Sequence, residues 1–457
     1  IGRNRNIQFD GVVQAGLFTI FGHEFDFDYD TFKIDLQKID SIRLAVETDE
    51  KDANGRALIR EIENLIQLGT AELFIDQPDN KSGLKSLKQY PVFNALTYSY
   101  IFYDDIPGLE GVYPKEDFYF RVDPFNYENI DHFRTEEIKL SGEFNGGTVI
   151  EPMPQYLTVQ ENNSLGFNMN IPEEGLEIYG SKGSMFDNLV MSNEGMTGSG
   201  TLKHLTATVR SEKFRFFPDS VVTLAESFTI DDDGTGLYPG LKAENVNIKW
   251  LTTKDELIAR NTVDRNFDMF GNGTMLAGDL ILSPGSLKGS GIIGTPDSRI
   301  TSEQFSFTSQ TIHADTSDYN LLSKTTSGYS FIAENAKTDV DFGLKKASFR
   351  LNTDSSVVKF PEVQYVCTMT DFTYNMDTRI LDMEQEGKSE TPLLSPGKLL
   401  EVDRNNLDRP TFLATNVIGD TISFSSWKGR YFLDEEYIEA EKDRKSTRLN
   451  SSHVSQS

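Results

Sequence analysis

Between residues 25 and 29, Phe25, Phe27 and Tyr29 alternate with Asp26 and Asp28. Beyond Asp30-Thr31 the alternation resumes with Phe32, Ile34 and Leu36 set against Lys33, Asp35 and Gln37, and Ile42, Leu44 and Val46 keep the same rule. A strict two-residue period sends one side chain toward a core and the next toward water, which is the geometry of a strand with one dry face. The parity slips at Asp30-Thr31, so a tight turn or a bulge must stand there, because one extra residue flips every side chain to the other face. Asp26, Asp28 and Asp30 then line a solvated face at spacings of about 7 Å, too wide to hold one cation without help from other strands. Such alternation recurs along most of the chain. It predicts a mainly all-β fold: an elongated stack of short antiparallel or meandering strands, β-solenoid-like or tandem β-sandwich units.

One segment departs from that period. In "NGRALIREIENLIQLG", Leu58, Ile59, Ile62, Leu65 and Ile66 recur at helical spacing, Asp52 or Asn54 can cap the start, and Gly69 can close the end. An amphipathic helix is expected near residues 55–68.

The chain carries 71 acidic and 44 basic side chains, a formal net charge of -27. That balance excludes nucleic acid as a partner and disfavours anionic headgroups, both of which need a basic surface. No apolar run is long enough for a transmembrane helix. The 32 Phe and 17 Tyr supply a core of rings, and the single cysteine, Cys367, rules out an intrachain disulfide.

From residue 180 the chain repeats itself. Residues 180–230 lie over 271–321 without a gap, with identities at Gly180/Gly271, Leu189/Leu280, Ser192/Ser283, the triplets Gly198-Ser199-Gly200 and Gly289-Ser290-Gly291, Ser211/Ser302, Glu212/Glu303, Phe214/Phe305 and Phe216/Phe307. "AEN" at 243–245 meets "AEN" at 333–335. A period of this size signals an array whose units share one core. The domains expected are 1–136, aromatic-rich with the one helix; 137–179, linking hairpins; 180–270 and 271–361, the two repeat units; and 362–442, a further β segment. Residues 443–457 stand apart: "DRKSTRLNSSH" resembles the in-frame translation of a sequencing adapter, a non-native tail. Ile1 is not an initiator residue, so a fragment of a longer reading frame is expected.

Candidate chemistry is sparse. The Gly-Ser-Gly triplets lack the third glycine and following helix of a dinucleotide fingerprint, so they read as close backbone approaches in strands. "DDDGTG" offers Asp231, Asp233 and Gly234 in part of a calcium-loop pattern, but no glutamate follows at the closing position. The bland reading is an acidic turn, and a structural calcium ion is the only cofactor suggested. Tyr98, Tyr100 and Phe102 share one parity beside Asp104 and Asp105. They form either a ledge on which a sugar ring could stack or part of a sheet core. His23, His132, His204 and His313 form no metal-binding spacing. Cys367, in "QYVCTM", reads as a buried thiol. No serine sits in a G-x-S-x-G elbow, and with so many acids no carboxylate pair for glycoside hydrolysis can be singled out.

The series "FDGVVQAGLFTIFGHEFDFDYDTFKIDL", "DNKSG" and "GSGTL…SEKFRFFPDS" resembles very large, uncharacterised β-rich envelope proteins of Gram-negative bacteria, from about residue 4 to 440. The short-strand pattern is more faintly similar to AsmA-type and OstA-type lipid-transport proteins, whose stacked strands form an apolar groove. The resemblance implies residence in the periplasm, on the outer membrane surface or outside the cell. It also implies partners among envelope proteins or other parts of the same long chain, with lipid or glycan as possible ligands. Three functions are expected in order: a non-enzymatic structural or scaffold module, a lipid- or glycan-binding β-stack, and a polysaccharide-active enzyme on a β-solenoid.

Overall fold

The computed structural model describes residues 4–232, 234–262, 266–353, 356–385, 410–415 and 423–441. The protein is all-β, and its paired strands run antiparallel, as in hairpins and meanders rather than the parallel coils of a β-helix. It divides into two compact units, residues 1–225 with 249–255, and residues 226–248 with 256–457. Among the described residues no helix is long and apolar enough to cross a membrane.

In the first unit, β1 (Ile7–Ala15), β2 (Phe18–Asp28) and β3 (Lys33–Lys51) open a sheet. The alternating stretch is the β2–β3 hairpin, with Phe25 opposite Leu36, both fully buried. The slip of parity is a turn in which the Asp28 carboxylate accepts the Asp30 N–H at 2.9 Å and Phe32 takes φ +54°. Asp26 faces Asp35 across the pair, and Lys33 reaches both Asp35 (2.9 Å) and Glu72 (2.7 Å), which relieves the row of like charges.

No helix forms at 55–68. The segment instead contains β4 (Ala57–Glu61) and β5 (Gln67–Leu68), and Ile66 exchanges backbone hydrogen bonds with Ile42 of β3 at 2.8 and 3.0 Å. Residues 62–68 alternate buried and exposed without exception, and Leu58 and Ile59, counted toward a helical face, are exposed. The alternation is hidden in the sequence because Asn64 occupies an inward position. Its side chain accepts the Leu165 N–H at 2.8 Å and donates to Asn193 at 2.9 Å, so a polar residue satisfies an apolar slot. Asp52, expected as a helix cap, instead closes the β3–β4 turn by accepting the N–H groups of Asn54 and Arg56.

The sheet continues through β6 (Ala71–Phe74) and β7 (Val92–Ala95). A second one brings together β5, β8 (Ser99–Phe102) and β9 (Phe118–Val122). The two-residue β10 (Asn126–Tyr127) ends the first sheet, while β11 (Leu140–Gly146) and β12 (Ile150–Val159) extend the second. Two short strands, β13 (Leu165–Asn170) and β14 (Leu176–Ile178), then lie end to end along one partner, β15 (Gly183–Ser192), which is followed by β16 (Gly195–His204) and β17 (Ala207–Phe217).

Beyond β18 (Ser220–Ile230) and β19 (Leu241–Leu251), the second unit repeats this arrangement. β20 (Glu256–Asn261) and β21 (Phe267–Met269) lie end to end along β22 (Thr274–Ser283), followed by β23 (Ser286–Gly294), β24 (Ser298–Phe307) and β25 (Thr311–Leu322). The strand starts pair as Leu165/Glu256, Leu176/Phe267, Gly183/Thr274, Gly195/Ser286, Ala207/Ser298 and Ser220/Thr311, each 91 residues apart. β26 (Tyr329–Asp341) in turn carries β27 (Lys346–Leu351) and β28 (Val358–Phe360) end to end. The remaining strands, β29 (Tyr365–Cys367), β30 (Asp371–Asn375), β31 (Ile380–Glu384), β32 (Thr411–Ala414), β33 (Ser423–Ser425), β34 (Lys428–Phe432) and β35 (Tyr437–Ala440), prolong the two lines side by side.

Some of the residues identical between the two segments mark backbone irregularities. On β17, Glu212 and Lys213 together oppose Ser199; on β24, Glu303 and Gln304 together oppose Ser290. Each bulge is held by a buried serine: Ser211 donates to the Leu224 carbonyl at 2.9 Å, and Ser302 to the Thr316 carbonyl at 2.6 Å. Gly200 and Gly291 face these bulges at φ +114° and +122°, where a Cβ would come within 2.2 Å of Asp187 and of the Ala277 carbonyl oxygen. The "AEN" echo has the same origin, since Asn245 and Asn335 both adopt left-handed φ, near +54° and +56°.

Inward side chains fill the interior. In the second unit a string of buried rings runs Tyr319–Phe349–Phe331–Phe360–Phe412, with centroids 4.4 to 6.4 Å apart.

Candidate functional site

Strand β8 carries its rings, Tyr100 and Phe102, on one face. Ile101 is buried inward with Ser99, and Tyr103 follows at the same parity. The outward set is Tyr98, 50% exposed, Tyr100, 36% exposed, and Phe102, half-buried. The three residues therefore lie on the outer face of the chain, with Phe102 partly covered. Tyr100 and Phe102 are parallel, with centroids 6.1 Å apart and planes at 10°. β9 adds Tyr119, which meets Tyr100 edge-on at 5.8 Å and Phe102 at a tilt at 6.2 Å.

Polar groups flank the rings because the register brings them there. Tyr100 lies opposite Gln67 on one side and Arg121 on the other, and Arg121 lies opposite Glu143. The Arg121 guanidinium sits 5.0 Å above the Tyr98 ring and 3.4 Å from Glu143. An aromatic platform with an arginine and a carboxylate at its margin can stack the apolar face of a sugar ring and hydrogen-bond its hydroxyls. Asp104 and Asp105 fall in the turn after β8, with Asp105 exposed. Tyr119 and Arg121 escape a sequence reading confined to β8; their signal is the parity of "FYFRV", where Phe118, Phe120 and Val122 are the buried set.

The acidic loop is a weaker candidate. Asp231 is exposed, and Asp232 accepts the Gly234 N–H at 2.9 Å in a turn; Asp233 lies outside the described residues. A hollow of about 340 Å³ beside the loop is lined by Asp231, Asp232, Lys242 and Asp268 among others. Among the described residues no three His, Cys, Asp or Glu side chains are placed to hold a metal ion. The same is true of the hollow of about 530 Å³ on the first sheet, where Asp26 lies with Asp10, Glu24 and Asp35.

In the second unit an open cleft of about 450 Å³ crosses β26, β27, β30 and β31. Its floor includes Ser348 and Thr373, and Asp371, Asp382 and Glu384 stand at its sides. Each of these acids has a cross-strand base at 3.2 Å: Arg350, Arg430 and Lys428 respectively. These exposed pairs satisfy one another and contribute little to stability.

His204 is the one buried histidine among the described residues. Its Nδ1 lies 2.9 Å from the Lys182 carbonyl, which only accepts, so Nδ1 carries the proton in the neutral ring. Nε2 then faces Asp255 Oδ1 at 3.6 Å, and the ring packs on Trp250 with centroids 4.3 Å apart. Burial lowers the affinity of His204 for a second proton, and the Lys182 carbonyl and Asp255 partly offset this. His23, His132 and His313 pair with Asp40, Glu47 and Asp339 at the surface. Cys367 is fully buried, and burial pushes its thiol up to about 12.

Comparison with protein-family models, curated proteins and solved structures finds no match to this chain.

Proposed function

We propose that this chain is a non-enzymatic β-scaffold module that docks a neutral glycan on the ledge formed by Tyr98, Tyr100, Phe102 and Tyr119. The observation that carries the reading is the outward exposure of parallel rings beside Arg121 and Glu143. Exposed tyrosines on a sheet face offer contact area with few rotatable bonds, and their spacing is comparable with a hexose unit along an extended chain. A neutral glycan suits a chain of net charge -27 better than an acidic one. The buried, ring-filled interior favours glycan over lipid, since a lipid carrier presents its Phe and Leu to an open groove. The Gram-negative envelope is the setting we infer from the family resemblance, with neighbouring segments of a longer chain or other envelope proteins as further partners.

Affinity electrophoresis through gels containing neutral polysaccharides tests the reading. The wild-type chain is expected to be retarded in at least one such gel. Tyr98→Ala and Tyr100→Ala should each weaken that retention about fivefold, as expected for the loss of one stacked ring. Tyr100→Trp should keep it. Free migration of the wild type through every glycan, or equal retention of a Tyr98→Ala/Tyr100→Ala double variant, sinks the proposal.

A further inference from the structure

The rings of β8 stand at one margin of a wider outer face, which the strand register carries across β9 and β11 to β12. Gln67, Tyr100, Arg121, Glu143 and Pro154 form one cross-strand row on it. A second row lies beside the first. Ser99 faces Val122, so Tyr98 stands level with Asp123, whose N–H bonds the Ser141 carbonyl at 2.9 Å, and Ser141 faces Tyr156. Residues directly opposed in a ladder share a face, and the neighbours Ser99, Val122, Leu140 and Leu157 are all fully buried. Tyr98, Asp123, Ser141 and Tyr156 therefore all point outward. Tyr156 is 53% exposed. Its ring has the Lys139 ammonium 4.3 Å from the centroid, much as Tyr98 has the Arg121 guanidinium. The strip between the two rings is polar: Ser141 donates to the Asp123 carboxylate at 3.1 Å, and Arg121 lies 3.4 Å from Glu143. Arg121 and Lys139 balance Asp123 and Glu143, so this strip is neutral in a chain of net charge -27.

We infer that the bound glycan crosses the strands instead of following β8, and that Tyr156 with Lys139 is a second stacking platform at the far end of its site. The inference rests on the glycan reading and adds to it a direction and a length. Three strand spacings separate Tyr98 from Tyr156, about 14 Å, which is the span of about three linked hexoses. A hexose stacks through its C–H face and presents hydroxyls at its edges, so a chain reaching from one ring to the other needs polar partners along the way. The strip supplies both kinds: Arg121 and Ser141 donate, and Asp123 and Glu143 accept. The line along β8 offers none, because its outward positions 98, 100 and 102 are all rings and Ser99 between them is buried. Local neutrality points to the same class of ligand, since an uncharged chain settles on the strip without stripping water from an unpaired charge.

Competition on the full chain is the test, in gels of soluble glucans and mannans with the matching free oligosaccharides of two to six units as probes. Each added unit should improve competition up to about three or four and give little beyond. Tyr156→Ala should weaken competition by the hexamer about fivefold, for the loss of one stacked ring, and leave that by the dimer unchanged. Tyr156→Phe should match the wild type. Ser141→Arg sets a long side chain across the strip and should reproduce the Tyr156→Ala pattern, whereas Tyr98→Ala should weaken every length. A hexamer that competes equally well against wild type and Tyr156→Ala overturns the inference and leaves the glycan reading standing, with the ligand lying along β8. Indifference to Ser141→Arg, or a Tyr156→Ala loss equal at all lengths, overturns it as well. Free migration of the wild type through every gel instead defeats the glycan reading, and this inference with it.

Discussion

At the residue scale, His204 makes the sharpest statement about pH. Its ring is kept neutral by burial, so the folded state takes up a second proton at lower pH than the unfolded chain, whose histidine titrates near 6.5. Above that value neither state is protonated there, and the full stability is present. As pH falls below about 6.5 the unfolded chain binds the proton first, and stability declines toward the folded value of the group. In His204→Phe the ring still packs on Trp250 but the titrating group is gone. The wild type should therefore lose denaturant midpoint more steeply than His204→Phe between about pH 7 and 5. Equal slopes would show that His204 charges freely in the folded protein. Sequence alone identified His204 as unpaired with any metal-binding neighbour. It could not show the burial, because the partners Lys182, Trp250 and Asp255 come from other turns of the chain.

At the scale of elements, the repeated Gly-Ser-Gly triplets mark positions where the backbone leaves the regular ladder. Gly200 and Gly291 stand in the left-handed range opposite bulges of the same form, with no room for a Cβ. Replacing either by Ala should cost roughly 1–3 kcal/mol of unfolding free energy. Gly240, which has open space and no left-handed φ, should tolerate Ala within about 0.5 kcal/mol. Urea denaturation of the three variants distinguishes a structural glycine from an incidental one, and equal midpoints would refute this account of the repeat. The strands themselves were legible wherever one face is apolar and the other polar, as in β2 and β3. Legibility failed where the inward face holds a polar residue: Asn64 broke the alternation of residues 62–68 and left a spurious helical spacing. The shared parity of Tyr98, Tyr100 and Phe102 was legible. Which parity faces out was not, because Ile101 and Tyr103 make the opposite face of β8 equally apolar.

On the scale of the whole molecule, the described interior of each unit is filled with apolar side chains, and the polar surface holds paired charges. The glycan reading therefore places function on an outer face. The buried thiol of Cys367 offers a practical handle on that arrangement. As the chain's sole cysteine, fully enclosed and with its thiol raised to about 12, it is shielded from an alkylating reagent in the native state. Labelling should proceed only through openings of the second unit, at a rate that tracks its opening equilibrium when reclosure is fast. Prompt modification under native conditions would contradict the enclosure. Mass spectrometry of the wild-type protein can thus clock the loosening of one half of the molecule, with no reporter group engineered into it.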